Sequence, residues 1–208
     1  MNKSVVIVGK GISVLKCDST FLNKFDEIAF CNFPPIIGYE NHIGAKADYH
    51  FMNAHDPNPY PKNIIDNLGL THILNTHPSP HEGYKNCFPS YDIFYDPEYG
   101  KITTQYFKKN YNLDPSTGLQ AFYYFVKKEE YKTIGLVGFD YFKVGEKGYY
   151  YPVNEVQSTL KYLYSNDGSK PFDRKGIRIQ ENSHNSKKTE ELVQSLASKY
   201  NKIILEPK

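Results

Sequence analysis

The sequence contains no tryptophan, and only two of its 25 basic residues are arginines, Arg174 and Arg178. Bidentate guanidinium contacts are therefore scarce, and a bound anion must be held mostly by backbone amides, hydroxyls and lysines. The excess of basic over acidic residues is small, 25 against 23, which gives a net charge of +2. Such an even balance of charge argues against a nucleic-acid or membrane-surface binder and favours a small-molecule partner.

Cysteine and long apolar runs are also scarce. Cys17, Cys31 and Cys87 are an odd number of cysteines and form no C-x-x-C pair, which argues against a zinc site or a disulfide framework and favours a reducing compartment. The opening apolar run at residues 5–8 is far shorter than the ~20 residues of a membrane-spanning helix or the core of a signal peptide. We therefore expect a cytoplasmic protein without a transmembrane segment.

Short β-branched and apolar stretches alternate with helical patterns along the chain. The patterns predict strands at residues 4–8, 27–31, 47–52, 71–75, 133–139 and 202–205, and helices at 119–128 and 183–200. This alternation predicts one α/β domain over residues 1–208, Rossmann-like with a mostly parallel central sheet. The stretch that begins at residue 77 is rich in Pro, His and Tyr with little periodicity, so we expect a long loop excursion over about 77–112.

In parallel sheets, ligands bind at the carboxyl ends of strands, near a topological switch point. Four segments that follow predicted strands or open helices therefore carry the candidate residues: 9–13, 32–35, 116–118 and 140–151.

Several sequence stretches resemble motifs of one enzyme family. IVGKGIS at 7–13, CNFPPIIGYE at 31–40 and IGAKADYHFM at 43–52 resemble, in order, the large sialyl motif of the sialyltransferases, glycosyltransferase family 29. PSTGL at 115–119 and IGLVGF at 134–139 resemble the small sialyl motif, GYYY at 148–151 resembles the third motif, and His184 with Glu190 resembles the very small motif. The first turn and residues 184–187 are also similar to bacterial family 42 sialyltransferases. The resemblance implies a GT-A-like sialyltransferase variant of the Rossmann-like fold.

The chain departs from the family pattern at several positions. Lys10 stands where the family has Asn or a small polar residue, which leaves the identity of the donor open. Tyr149 replaces the usual His of the third motif, although bacterial relatives use tyrosine hydroxyls on the leaving phosphate. The spacing from His184 to Glu190 is one residue longer than in the family. The cysteine pair that bridges the two large motifs in secreted members is absent.

The resemblance implies an inverting, metal-independent glycosyltransferase that moves sialic acid from CMP-sialic acid to a sugar hydroxyl of an oligosaccharide or glycolipid acceptor. His184 is the implied general base because imidazole titrates near neutral pH; the alternative is a solvated neighbour of a helix cap. Tyr149 and Tyr150 are the implied hydrogen-bond donors to the leaving phosphate, the alternative being packing or surface residues. No D-x-D cluster follows a strand, so we expect neither a metal nor another cofactor.

The implied donor site takes residues from each candidate segment. Glycines in the first turn would let backbone amides approach the nucleotide, and Ser13 is a candidate helix cap, although a plain tight turn explains this pattern too. Asn32 and Asn53 suit a pyrimidine edge or ribose, with Asx-turns as the alternative. A helix N-terminus would lie beside the cytidine or phosphate, with plain N-capping as the alternative. The full candidate set is Gly9, Lys10, Gly11, Ser13, Asn32, Asn53, Ser116, Thr117, Gly118 and Asp140.

Two other functions fit the residues. A transferase for another CMP-sugar, such as Kdo, is indicated by Lys10 and the expected cytoplasmic setting. A catalytically inactive CMP-binding domain is indicated by Tyr149 and the shifted Glu190. The remaining histidines fit no common zinc spacing, and we interpret them as structural or loop residues: His42, His50, His55, His72, His77 and His81.

Overall fold

The computed structural model describes residues 2–53, 66–79, 93–140 and 186–207. These residues form a 7-stranded sheet with helices on both faces. The strands are β1 (Lys3–Val8), β2 (Glu27–Cys31), β3 (Tyr49–Met52), β4 (His72–Asn75), β5 (Phe94–Asp96), β6 (Tyr131–Val137) and β7 (Ile203–Leu205). The helices are a 3₁₀ helix (Ile12–Lys16), α1 (Ser19–Leu22), α2 (Glu40–Ile43), α3 (Tyr99–Tyr111), α4 (Thr117–Val126) and α5 (Ser186–Lys199).

Every pair of neighbouring strands in this sheet is parallel, in the order β5-β4-β3-β2-β1-β6-β7. The chain builds the sheet outward from β1 to β5 and then returns to place β6 on the other side of β1. This reversal puts the topological switch point at the carboxyl ends of β1 and β6, where α/β proteins bind ligands. The predicted single α/β domain with a parallel sheet is confirmed.

Strand β1 shows why its sequence reads as a continuous apolar run. Val5 and Ile7 pack into a core shared with α3, α4 and α5, whereas Val6 and Val8 pack into a second core shared with α1 and α2. Successive side chains of a strand point to opposite faces, so a strand covered on both faces needs apolar residues at every position.

The predicted loop excursion over about 77–112 is wrong from residue 93 onward. Strand β5 and helix α3 occupy this part, while residues 80–92 lie outside the described residues. The buried face of α3 includes Gly100, Thr103 and Thr104 beside Phe107, so small and polar residues conceal its amphipathic period. Strand β5 lies at the sheet edge, and its Phe94 is 54% exposed, which gives no buried-strand pattern.

The other predicted elements are present: β2 has the predicted bounds, and the bounds of the rest are shifted. Helix α4 begins at Thr117 rather than 119, and β6 covers 131–137 rather than 133–139. Strand β6 ends before Gly138 because this residue adopts a left-handed φ of 71°. Within the described residues, no helix combines the length and the apolar character needed to cross a bilayer.

Candidate active site at the switch point

The switch point is a close crossing of two backbone segments, the turn after β1 and the end of β6. The Gly9 amide donates to the Val137 carbonyl at 2.7 Å, and the Gly11 amide donates to the Gly138 carbonyl at 3.1 Å. A Cβ on either Gly9 or Gly11 would lie 2.7 Å from the Gly138 oxygen, closer than side chains tolerate. Both glycine amides therefore donate to the end of β6, as in the plain tight turn given as the alternative. The approach of backbone amides of this turn to a nucleotide stays a prediction.

The 3₁₀ helix after this turn is capped from a distant part of the sequence. Asp140 Oδ2 accepts a hydrogen bond from the Ser13 amide at 3.1 Å. Gly11, the residue that directly precedes the 3₁₀ helix, contributes no side-chain cap. The prediction that Ser13 caps this helix is wrong, since its amide is the capped group. Asp140 joins the end of β6 to the first turn, and its predicted contact with the donor stays a prediction.

Lys10 lies within electrostatic reach of the carboxyl ends of β2 and β3. Burial raises the pKa of the Cys31 thiol to about 12, and the positive charge of Lys10 opposes this rise. Burial first, and the Lys10 charge second, lower the pKa of His50 to about 3. His50 is therefore neutral at physiological pH, and its Nε2 accepts a hydrogen bond from the Phe33 amide at 3.1 Å. The structural role predicted for His50 fits this position.

Asn32 follows β2 in a left-handed conformation, with a φ of 55°, and Phe33 continues it with a φ of 48°. Asparagine tolerates this region better than most residues. The Asn32 side chain spans two other elements: Oδ1 accepts from the Asn53 amide at 2.7 Å, and Nδ2 donates to Thr117 Oγ1 at 3.1 Å. The alternative of a local Asx-turn at Asn32 does not apply, because these partners are distant in sequence.

The orientation of the Asn32 amide follows from its partners. The Asn53 backbone N–H can only donate, so the Asn32 atom that it contacts must be the oxygen. The second Nδ2 hydrogen of Asn32 has no acceptor among the residues that the structure describes, and the side chain is half-buried. This corner of the sheet therefore presents a hydrogen-bond donor suited to a carbonyl or ring-nitrogen acceptor on a ligand.

The N-terminus of α4 lies beside Asn32. Ser116 Oγ accepts from the Leu119 amide at 3.2 Å, so the predicted N-cap is confirmed. Thr117 is buried and contacts Asn32 through its hydroxyl. Gly118 faces the ring of Phe139, and a Cβ there would lie 3.1 Å from two of the ring atoms. The helix terminus, β2 and the end of β6 thus meet at one edge of the sheet.

Sequence reasoning missed two buried polar residues behind this edge. Thr76 Oγ1 lies 3.1 Å from Thr117 Oγ1, and Gln120 Nε2 donates to the Thr76 carbonyl at 2.9 Å. Gln120 Oε1 in turn accepts from the Thr103 hydroxyl of α3. A threonine directly after a strand and a glutamine on the buried face of a helix were the available signals, but both residue types are usually exposed.

The predicted catalytic residues His184, Tyr149 and Tyr150 lie outside the described residues. Glu190 lies on α5 and is half-buried. Over the ranges 2–53, 66–79, 93–140 and 186–207, no group of three or more His, Cys, Asp or Glu side chains is placed to hold a metal ion.

No protein-family profile and no curated protein matches the chain. Solved structures do match. The sialyltransferase CstII from Campylobacter jejuni, in complex with a trisaccharide acceptor and CMP, superposes with a TM-score of 0.62 at 16% identity, covering 99% of this chain and 81% of that chain. The monofunctional alpha-2,3-sialyltransferase Cst-I from the same organism gives 0.61 at 19% identity, covering 99% and 76%.

A mammalian sialyltransferase in complex with Gal-beta-1-3GalNAc-ortho-nitrophenol gives a TM-score of 0.54 at 13% identity, covering 100% of this chain and 70% of that chain. At such low identities, structural similarity establishes the fold rather than the reaction. The chain has the fold shared by bacterial and mammalian sialyltransferases, with its polar cluster at the switch point of that fold.

Proposed function

We propose that the protein is a glycosyltransferase that moves sialic acid from CMP-sialic acid to a hydroxyl group of an oligosaccharide or glycolipid acceptor. The observation that carries the proposal is the contact between Asn32 and Thr117 at the switch point, with Lys10 within electrostatic reach of the neighbouring strand ends. Three solved structures of the same fold are sialyltransferases, and one of them holds CMP. The motif resemblance points to the same reaction independently of the structure.

The nucleotide is the part of the donor that this edge fits best. A cytosine ring offers a carbonyl oxygen and a ring nitrogen as acceptors, which match the remaining Nδ2 hydrogen of Asn32. Lys10 supplies a positive charge near the same strand ends, so we assign it to the donor phosphate as a point charge. The N-terminus of α4 also favours negative charge. Ser116, Thr117 and Gly118 therefore complete the proposed nucleotide site.

The chemical step that we propose is a single inverting displacement. His184 removes the proton from the acceptor hydroxyl as that oxygen attacks the anomeric carbon of the sialic acid. The bond to the CMP phosphate breaks on the opposite face, and Tyr149 and Tyr150 donate hydrogen bonds to the departing phosphate oxygens. CMP is a phosphate monoester, so hydroxyl donors suffice, and we propose a reaction without a metal ion. These three roles rest on the motif resemblance.

We also propose a cytoplasmic location, because Cys17 and Cys31 are buried free thiols, as expected in a reducing compartment. Lys10 favours one alternative donor, a CMP-activated eight-carbon acid such as Kdo, since the family has Asn or a small residue at this position.

The test is a CMP-release assay with CMP-Neu5Ac and CMP-Kdo in parallel, in excess chelator, with and without a galactose-terminated acceptor. Acceptor-stimulated release from CMP-Neu5Ac supports the proposal, and stimulated release from CMP-Kdo alone supports the alternative. Binding of CMP without release from either donor identifies an inactive CMP-binding domain. Loss of activity in chelator contradicts metal independence.

A further inference from the structure

We propose that Thr76, which lies behind the site and makes no contact with a donor in our scheme, is a positioning residue that fixes the amide of Asn32. The inference rests on the proposed function for its effect on CMP, but its effect on Asn32 is measurable without any ligand. The hydroxyl of Thr76 lies 3.1 Å from that of Thr117, which accepts from Asn32 Nδ2 at 3.1 Å. Thr76 therefore lies one hydrogen bond beyond the first partner of Asn32.

Thr76 itself is held from several sides. Its amide donates to the Met52 carbonyl at 2.7 Å, and its carbonyl accepts from Gln120 Nε2 at 2.9 Å. Helix α3 presses on the same backbone, because a Cβ on Gly100 would overlap the Thr76 carbonyl carbon. The Thr76 side chain is 3% exposed. On this constrained and buried backbone, the Thr76 hydroxyl is directed toward Thr117.

The neighbouring residue, Asn75, further restrains the backbone around Thr76. Asn75 Nδ2 donates to the carbonyls of His77, Ser79 and Pro97, at 3.3, 3.3 and 3.0 Å. Asn75 Oδ1 also accepts from the His77 amide at 3.0 Å. Side-chain contacts of Asn75 thus fix the backbone on both sides of Thr76, and none of them involves the residues of the proposed nucleotide site.

The count of protons explains why Thr76 matters. A threonine hydroxyl donates one hydrogen bond and accepts up to two. When Thr76 donates to Thr117, the Thr117 proton turns toward Asn32 Oδ1, 3.4 Å away, and both ends of the Asn32 amide are then engaged by Thr117. Without the Thr76 hydroxyl, the buried Thr117 hydroxyl loses a partner and is free to rotate. The Asn32 amide then keeps its hydrogen bond from the Asn53 amide but loses the firm hold of Thr117.

The test compares Thr76→Val, Thr76→Ser and Thr104→Val. Valine matches the shape of threonine but lacks the hydroxyl, and serine keeps the hydroxyl. Thr104 is 4% exposed on α3, and its hydroxyl makes no side-chain hydrogen bond within the described part of the chain, so it is a matched control. The readouts are the side-chain amide NMR signals of Asn32 in nucleotide-free protein and the Kd for CMP by calorimetry.

We expect Thr76→Val to shift or broaden the Asn32 side-chain signals and to weaken CMP binding about fivefold. Thr76→Ser should restore both, and Thr104→Val should change neither. Unchanged Asn32 signals in Thr76→Val, or unchanged CMP affinity where the wild type binds CMP, overturn the inference. If Asn32 responds but the wild type binds no CMP, the proposed function fails while the positioning role stands. Thr76→Ala replaces Thr76→Val if the latter does not fold.

Discussion

The carboxylate of Asp140 accepts a hydrogen bond from the backbone amide of Ser13, 127 positions away in the sequence. This contact joins the end of β6 to the first turn of the chain, and the missing side chain of Gly11 leaves room for it. The proposed nucleotide site at the carboxyl ends of the strands is therefore assembled from segments that a local sequence pattern cannot connect.

Removal of this contact should weaken the fold. We expect Asp140→Ala to lower the free energy of unfolding by about 1 kcal/mol, the usual cost of losing a helix cap. Asp140→Asn should lose less, because its amide oxygen still accepts. Urea denaturation measures both. Asp114→Ala is the control, since its ion pair with Lys108 is largely exposed and should contribute little. Equal stabilities for Asp140→Ala and Asp114→Ala would refute the capping role.

The buried His50 should make stability depend on pH. Its folded pKa is lowered to about 3, so between the ordinary value of 6.5 and pH 3 the unfolded chain binds a proton that the folded chain excludes. Stability due to this group is therefore lost as pH falls below 6.5, by up to about 1.4 kcal/mol per pH unit. The difference in unfolding free energy between wild type and His50→Gln, followed from pH 7 to 5, isolates the effect. Parallel pH curves would show that His50 is not the cause.

Two substitutions at Asn32 separate the effect of backbone strain on stability from the effect of the side chain on CMP binding. Asn32→Gly removes the amide but accommodates the φ of 55°, whereas Asn32→Ala adds the left-handed penalty of about 1 kcal/mol. We expect both variants to bind CMP at least tenfold more weakly, while Asn32→Gly remains the more stable of the two. Calorimetry and urea denaturation provide the two quantities. Wild-type CMP affinity in Asn32→Gly would exclude Asn32 from the nucleotide site.

The proposed general base has a direct test. His184→Ala should abolish acceptor-stimulated CMP release while leaving the Kd for CMP nearly unchanged, because the imidazole acts on the acceptor hydroxyl rather than on the nucleotide. His72→Ala is the control, because this histidine lies at the amino end of β4, and the site lies at the carboxyl ends of the strands. Turnover that survives His184→Ala would assign the base to another residue.

The sequence predicted the sheet, and part of the polar cluster at its switch point, for a physical reason. Strands covered on both faces need continuous apolar runs, so β1 and β6 are visible from the residue pattern alone. Asn32 directly follows a predicted strand and Ser116 opens a predicted helix, so local position was enough to select both. Helix α3 was missed because its contacts with the rest of the fold use threonine and glycine, whose burial only the tertiary structure reveals.

The wrong capping role of Ser13, and the open interpretation of the glycines beside it, have a related cause. A G-x-G pattern marks a close backbone approach, but it does not say which group approaches. Here the end of β6 takes the amides of Gly9 and Gly11. The cap from Asp140 and the partners of Thr76 depend on long-range packing and could not be read from spacing.

The most direct measurement of the proposed function is the mass of a galactose-terminated acceptor after incubation with the protein and CMP-Neu5Ac in excess chelator. We predict that the acceptor gains one sialic acid residue and that an equal amount of CMP appears. An unchanged acceptor mass, with an intact CMP-Neu5Ac donor, would contradict sialyl transfer by this chain.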